Sequence, residues 1–200
     1  MKTVMAIVIS FMAGSAIAQD FDNIFYVSWN TSKPLSSTNW VDGSSSKGIK
    51  VGYRKLISDR FSAGVDFTWN VFDQYSPTTT FESPTGAVTT DYFTYLYSYG
   101  LSATGQYYLP VNTKRVMPYV GLGLGVSRNK YALFYNVYTE SDDSWGFQAS
   151  PEVGLLFPFG GKIGAIVGAH YDFSTATSDY FQVGRYNRLG VNVGLVFMGY

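Results

Sequence analysis

Eight segments of this chain alternate between apolar and polar residues, and that period of two governs what the chain can become. In residues 61–72, Phe61, Ala63, Val65, Phe67, Trp69 and Val71 fall on one face. Ser62, Gly64, Asp66, Thr68 and Asn70 fall on the other. Successive side chains of a strand point to opposite sides, whereas a helix would scatter both classes around its axis. The same split sets Val120, Leu122, Leu124 and Val126 against Gly121, Gly123, Gly125 and Ser127. It recurs around residues 24–30, 49–54, 94–104, 145–155, 163–173 and 188–197, which makes eight strands in all.

The connections alternate as well. Short turns are expected at residues 58–60, 110–114 and 158–161. Longer loops rich in Ser, Thr, Gly, Pro and Asp are expected at residues 31–47, 73–90 and 176–184, with a further tip near residues 140–143. An even number of antiparallel strands, with short turns at one end and long loops at the other, is the layout of a membrane barrel of bacteria. The expected fold class is therefore all-β, an eight-stranded antiparallel up-and-down transmembrane β-barrel.

A soluble eight-stranded barrel such as a lipocalin has the same strand count but puts its apolar face inside. The face sizes decide between the two. An eight-stranded interior has room only for side chains. Gly, Ser, Thr and Asn fit there, and the bulky Phe, Trp, Tyr, Val and Leu set is expected outside, against lipid. Aromatic residues gather towards both strand ends, Trp69, Trp145 and Phe147 at one and Phe61, Tyr107, Phe157 and Phe197 at the other, as at the two membrane interfaces. The fourth and fifth strands are expected to run on beyond the membrane as a ribbon.

The N-terminus sets the compartment. Lys2, an apolar stretch over residues 4–13 and Ala16-Ile17-Ala18 fit a secretory signal peptide cleaved after residue 18, leaving residues 19–200 as the barrel. The apolar stretch falls short of the roughly 20 residues of a spanning helix. No cysteine is present, which excludes a lipidated N-terminus, a disulfide scaffold, thiol catalysis and Cys-ligated metal. Net charge is zero, so there is no basic field for nucleic acid. No cofactor motif emerges. Gly121, Gly123 and Gly125 lack the third glycine and the helix of a dinucleotide fingerprint, since position 126 is Val.

Met117-Pro118-Tyr119-Val120-Gly121-Leu122-Gly123-Leu124-Gly125, Pro151-Glu152-Val153-Gly154 and the closing alternation over residues 190–197 resemble the porin-family small outer-membrane barrels of the OmpA/OmpX type, the outer-membrane β-barrel domains of Bacteroidetes above all. The resemblance covers residues 19–200 and implies a cell outer membrane location. Such barrels often close on an outward-facing aromatic, whereas Tyr200 has lumen parity, one step off Phe197.

Six charges of both signs share the lumen parity: Lys50, Arg54, Asp66, Glu152, Asp172 and Arg188. Unpaired buried charge is costly, so they are expected to pair across the lumen with Gln106, Gln148 and Asn192 among them. Glu152 is the expected hub, within reach of Arg54 and Arg188. Arg128 and Lys130 fall on the outward face just past the apolar span, where cations can meet lipopolysaccharide phosphates. The expected function is non-enzymatic, structural or surface-contacting. The alternatives are a narrow solute channel, or a lipid A-modifying enzyme, which would need His170 to face lipid rather than the lumen side that it shares with Asp172.

Overall fold

The computed structural model describes residues 22–83, 86–111, 115–135, 138–159 and 162–199. The expected signal peptide and the terminal Tyr200 lie outside the described residues. Eight strands are present, in the order β1 (Asn23–Pro34), β2 (Ser45–Ser58), β3 (Phe61–Ser83), β4 (Gly86–Tyr108), β5 (Met117–Tyr135), β6 (Tyr138–Pro158), β7 (Ile163–Ser174) and β8 (Tyr186–Gly199). Each pairs antiparallel with its sequence neighbours, and β8 pairs with β1 to close the ring. Closure gives every strand a partner on both sides, the condition for a β structure to sit in lipid.

The register fixes the tilt. A path across the paired residues leaves β1 at Phe25 and passes Tyr53, Val65, Ala103, Leu124, Ala149, Phe173 and Asn187. It re-enters β1 at Leu35, whose N–H donates to the Asn187 carbonyl at 2.9 Å, ten residues beyond its start. A stagger of that size goes with strands tilted by about 45°, as in membrane barrels. It also brings Lys50, Asp66, Glu152, His170 and Asn192 to one height, although no two of Lys50, Asp66 and Glu152 are paired in the ladder.

Burial follows the alternation. Along β1, lumen residues Ile24, Tyr26, Ser28 and Asn30 are buried while Phe25 and Trp29 are exposed. The outward set, including Val65, Leu101, Leu122, Leu124, Val153, Val193 and Leu195, is about half exposed, which for such residues makes sense only in contact with lipid.

Three expectations need correction. Residues 73–83 and 86–90 are strand rather than loop: β3 continues to Ser83 and β4 starts at Gly86, and their ladder shifts between Ser76 and Thr79. Residues 140–143 lie inside β6, which already begins at Tyr138, paired with Tyr135 at the end of β5. Both stretches are rich in polar residues yet are regular, paired strand where described. The ribbon is accordingly four strands wide, β3 to β6, rising above the shorter β1, β2, β7 and β8. The lumen also takes bulky side chains at its lower end. Ile24, Tyr26, Tyr108, Tyr119, Leu156, Ile166, Val196 and Met198 form one buried cluster. Glycines make the room, for a Cβ on Gly154 would sit 2.5 Å from the Tyr119 hydroxyl oxygen.

Candidate functional site

The lumen is layered. Above the lower apolar cluster, the Arg54 guanidinium lies between two rings, 4.7 Å from the centre of Tyr26 and 5.1 Å from that of Tyr119. Each contact contributes about 2 kcal/mol or more when desolvated. Arg54 also reaches Glu152 at 3.4 Å and Asp66 at 3.7 Å. Lys50 bonds to Glu152 and lies 3.4 Å from Asp66. Two cations thus share two carboxylates, and the Tyr119 hydroxyl donates to Glu152 as a further partner. All four charged side chains are buried.

The other two expected charges form a separate pair. Arg188 Nε donates to Asp172 Oδ2 at 2.6 Å, and Ser150 Oγ donates to Asp172 Oδ1 at 2.6 Å. Arg188 therefore does not reach Glu152 as expected. The cause is height: Asp172 and Arg188 are cross-strand partners one turn of the pleat above the Glu152 layer. Gln148 joins this upper pair through Ser150, at 2.9 Å. Gln106 instead accepts from Ser62 lower down, at 2.9 Å. Both charge groups border one cavity of about 10 Å³, lined by Lys50, Asp66, Glu152 and Asp172, which is room for about one water.

His170 is buried on the lumen side, with Nε2 3.7 Å from Asp172 Oδ2. Its ring makes no hydrogen bond among the described residues. A hydrolytic triad needs the histidine between the hydroxyl and the acid. Here Ser150 binds the acid directly, and neither His170 nor Asp172 faces lipid.

The mouth is closed where Trp40, Val41, Phe181 and Val183, from two segments expected as loops, fold over strand residues. Val41, Phe72, Leu96, Tyr131, Val183 and Tyr186 form a second buried apolar cluster, with Trp40 and Phe181 packed against it. Trp40 stands edge-on to Tyr131 at 5.9 Å and lies 4.6 Å from Phe181. The connections after β1 and β7 turn through left-handed residues, Ser37 (φ 55°) and Gln182 (φ 51°), and fold inward against the tall wall. Thr94 Oγ1 donates to the Trp40 carbonyl at 2.9 Å, and Ser178 Oγ donates to Asp142 at 2.6 Å. Ser36 and Ser37 hydroxyls both donate to the Arg185 carbonyl at 2.8 Å and tie the two connections together. The signal was legible in principle: Trp40, Val41 and Phe181 are large apolar residues stranded in polar segments.

On the outside, Arg128 pairs with Asp143 at 3.1 Å and lies 5.7 Å over the Trp145 ring. Lys130 sits one pleat higher on the same face, opposite Tyr97 on β4 and Asp143 on β6.

A closed ring of tilted antiparallel strands, apolar outside and charged within, defines an integral outer-membrane β-barrel. The chain belongs to the outer membrane protein β-barrel domain family, whose profile matches residues 4–197. Among solved structures, Neisserial surface protein A superimposes with a TM-score of 0.58 at 17% identity, over 88% of this chain and 96% of that one. Ail, the attachment invasion locus protein of Yersinia pestis, does so at 0.51 and 14% identity, over 90% and 100%. A second Ail structure, with the heparin analogue sucrose octasulfate, gives 0.50 and 15%, over the same shares. Identities this low establish a common fold and no more. No curated protein matches by sequence.

Proposed function

We propose that this protein is a sealed, non-enzymatic barrel that displays a four-stranded wall at the cell surface, after removal of residues 1–18. One observation carries the reading: the lumen is filled by paired charges and stoppered by apolar clusters at both ends, so among the described residues neither a solute path nor a lipid-facing reactive group is built. What remains for contact is the outer surface and the wall. Outer-leaflet lipopolysaccharide is the first partner available to it. Arg128 keeps further N–H donors beside its bond to Asp143, and with Lys130 it offers charge for lipid A phosphates.

The chain has no cysteine, so surface display is directly testable. Thr89→Cys, high in β4, will react with a membrane-impermeant maleimide on intact cells. Asp59→Cys, in the turn between β2 and β3, will react only after the outer membrane is opened. The reverse pattern would overturn the orientation and, with it, the surface role.

A further inference from the structure

On β3 to β5 the outward face of the wall does not turn wholly polar where the membrane ends. Its ladder can be read in rows. The lower rows, such as Leu124–Ala103–Val65 and Val126–Leu101–Phe67, are mostly aliphatic. The next row is Trp145–Arg128–Tyr99–Trp69, where indole, phenol and guanidinium mark the membrane boundary. Three more rows stand above it: Asp143–Lys130–Tyr97–Val71, Ser141–Ala132–Tyr95–Asp73 and Thr139–Phe134–Phe93–Tyr75. Lys130 and Asp73 among them place these rows outside hydrocarbon, where charge is not tolerated. Yet on β3 to β5 these rows carry five rings, Tyr75, Phe93, Tyr95, Tyr97 and Phe134, while β6 contributes Thr139, Ser141 and Asp143 as a polar rim.

The rings form one continuous surface. Tyr75 packs against Phe93 at 5.0 Å, Tyr95 stacks on Tyr97 at 6.0 Å with 12° between planes, and Tyr95 meets Phe134 edge-on at 5.3 Å. Ala132, opposite Tyr95, is small enough to be covered completely. Tyr75 and Phe93 nevertheless remain 54% and 42% exposed. An apolar patch of this kind in water marks a contact surface.

We infer that this aromatic wall binds the sugar rings of the lipopolysaccharide core, an inference that rests on the surface orientation proposed above. Continuity identifies the occupant. The patch grows without a break from the membrane-boundary row and faces sideways, over neighbouring lipid. The matter standing beside it there is the saccharide carried by outer-leaflet lipid. The chemistry matches: a sugar ring has a C–H face that lies on an aromatic ring and hydroxyls at its rim. Tyrosine hydroxyls and the Asp73 carboxylate supply hydrogen-bond partners at the edges of these rings. Lys130 and Arg128 at the base meet phosphates.

The test uses the full mature chain refolded into vesicles that contain either lipopolysaccharide with its complete core or lipid A alone. Wild-type protein will bind the core-bearing form at least tenfold more tightly than lipid A. The double variant Tyr75→Ser with Phe93→Ser will lose that difference while keeping its affinity for lipid A. Should the double variant fail to fold, Tyr75→Ser alone will lose part of the difference, and competition by free core oligosaccharide against wild-type protein reads the same site. Arg128→Gln with Lys130→Gln will weaken both forms alike, which separates a failure of the phosphate contact from a failure of the wall. Equal wild-type affinity for both forms, an unchanged preference in the aromatic variants, or a loss of self-association in place of sugar binding would overturn the inference, the last in favour of a second copy of the chain as occupant.

Discussion

Glu152→Ala will destabilise the barrel by about 3–5 kcal/mol, the cost of removing one side of a buried ion pair. The substitution strips a bond from each of Lys50, Arg54 and Tyr119. Asp66 still lies 3.4 Å from Lys50 and 3.7 Å from Arg54, and water will enter the space vacated, so the lower part of that range is expected. Asp172→Ala is the sharper case, because Asp172 is the only carboxylate that pairs with Arg188 among the described residues. Glu140→Ala, which removes a part-buried bond from Tyr135 and an exposed one from Tyr180 and orphans no buried charge, will change stability by much less. Combining Glu152→Ala with Lys50→Met will recover a large part of the loss, since an apolar replacement leaves no orphaned ammonium. Urea unfolding of the refolded variants in bilayers checks the series, and equal midpoints for Glu152→Ala and Glu140→Ala would refute the lumen network as a source of stability.

Val65→Arg will cost about 2–4 kcal/mol in a bilayer, the penalty for a cation at the lipid face near mid-membrane. Val65 is 53% exposed and belongs to an aliphatic row two steps below the Trp69 and Arg128 row. Ile57, 66% exposed beside the β2–β3 turn, is the control: Ile57→Arg near the interface will cost about 0–1 kcal/mol. The difference between the two sites is a direct reading of depth. Equal costs would mean that the exposed aliphatic face does not meet acyl chains.

The strand count, the face of each strand residue and the closed ring were legible because alternation is a local signal repeated eight times. So were the six lumen charges, since parity alone identifies them. What parity lacks is height. Arg188 and Glu152 share a face, yet Arg188 meets Asp172, because the ten-residue stagger of the ring decides which lumen residues come level. That stagger is a property of the closed ladder and is written in no single segment. The wall was misread for a related reason. Residues 73–83 and 86–90 carry Thr, Ser, Pro and Asp, a loop composition, yet they are paired across the β3–β4 ladder, a long-range pairing that composition does not announce. The bulky lumen residues escaped because Ile24, Tyr26 and Tyr119 break the small-inside rule, and Gly52 and Gly154, which make room for Tyr26 and Tyr119, sit on other strands. The cap around Val41 and Val183 depends on two connections folding inward together, a contact across about 140 residues of sequence that no local pattern announces.

The central claim is that the lumen is shut, and single-channel recording of the refolded wild-type barrel in a planar bilayer tests it most directly. Paired charges around a cavity of about 10 Å³, between apolar clusters centred on Tyr119 below and Tyr131 above, predict electrically silent insertions. Large, steady current steps with each inserted barrel would contradict the account and assign the protein to solute transport.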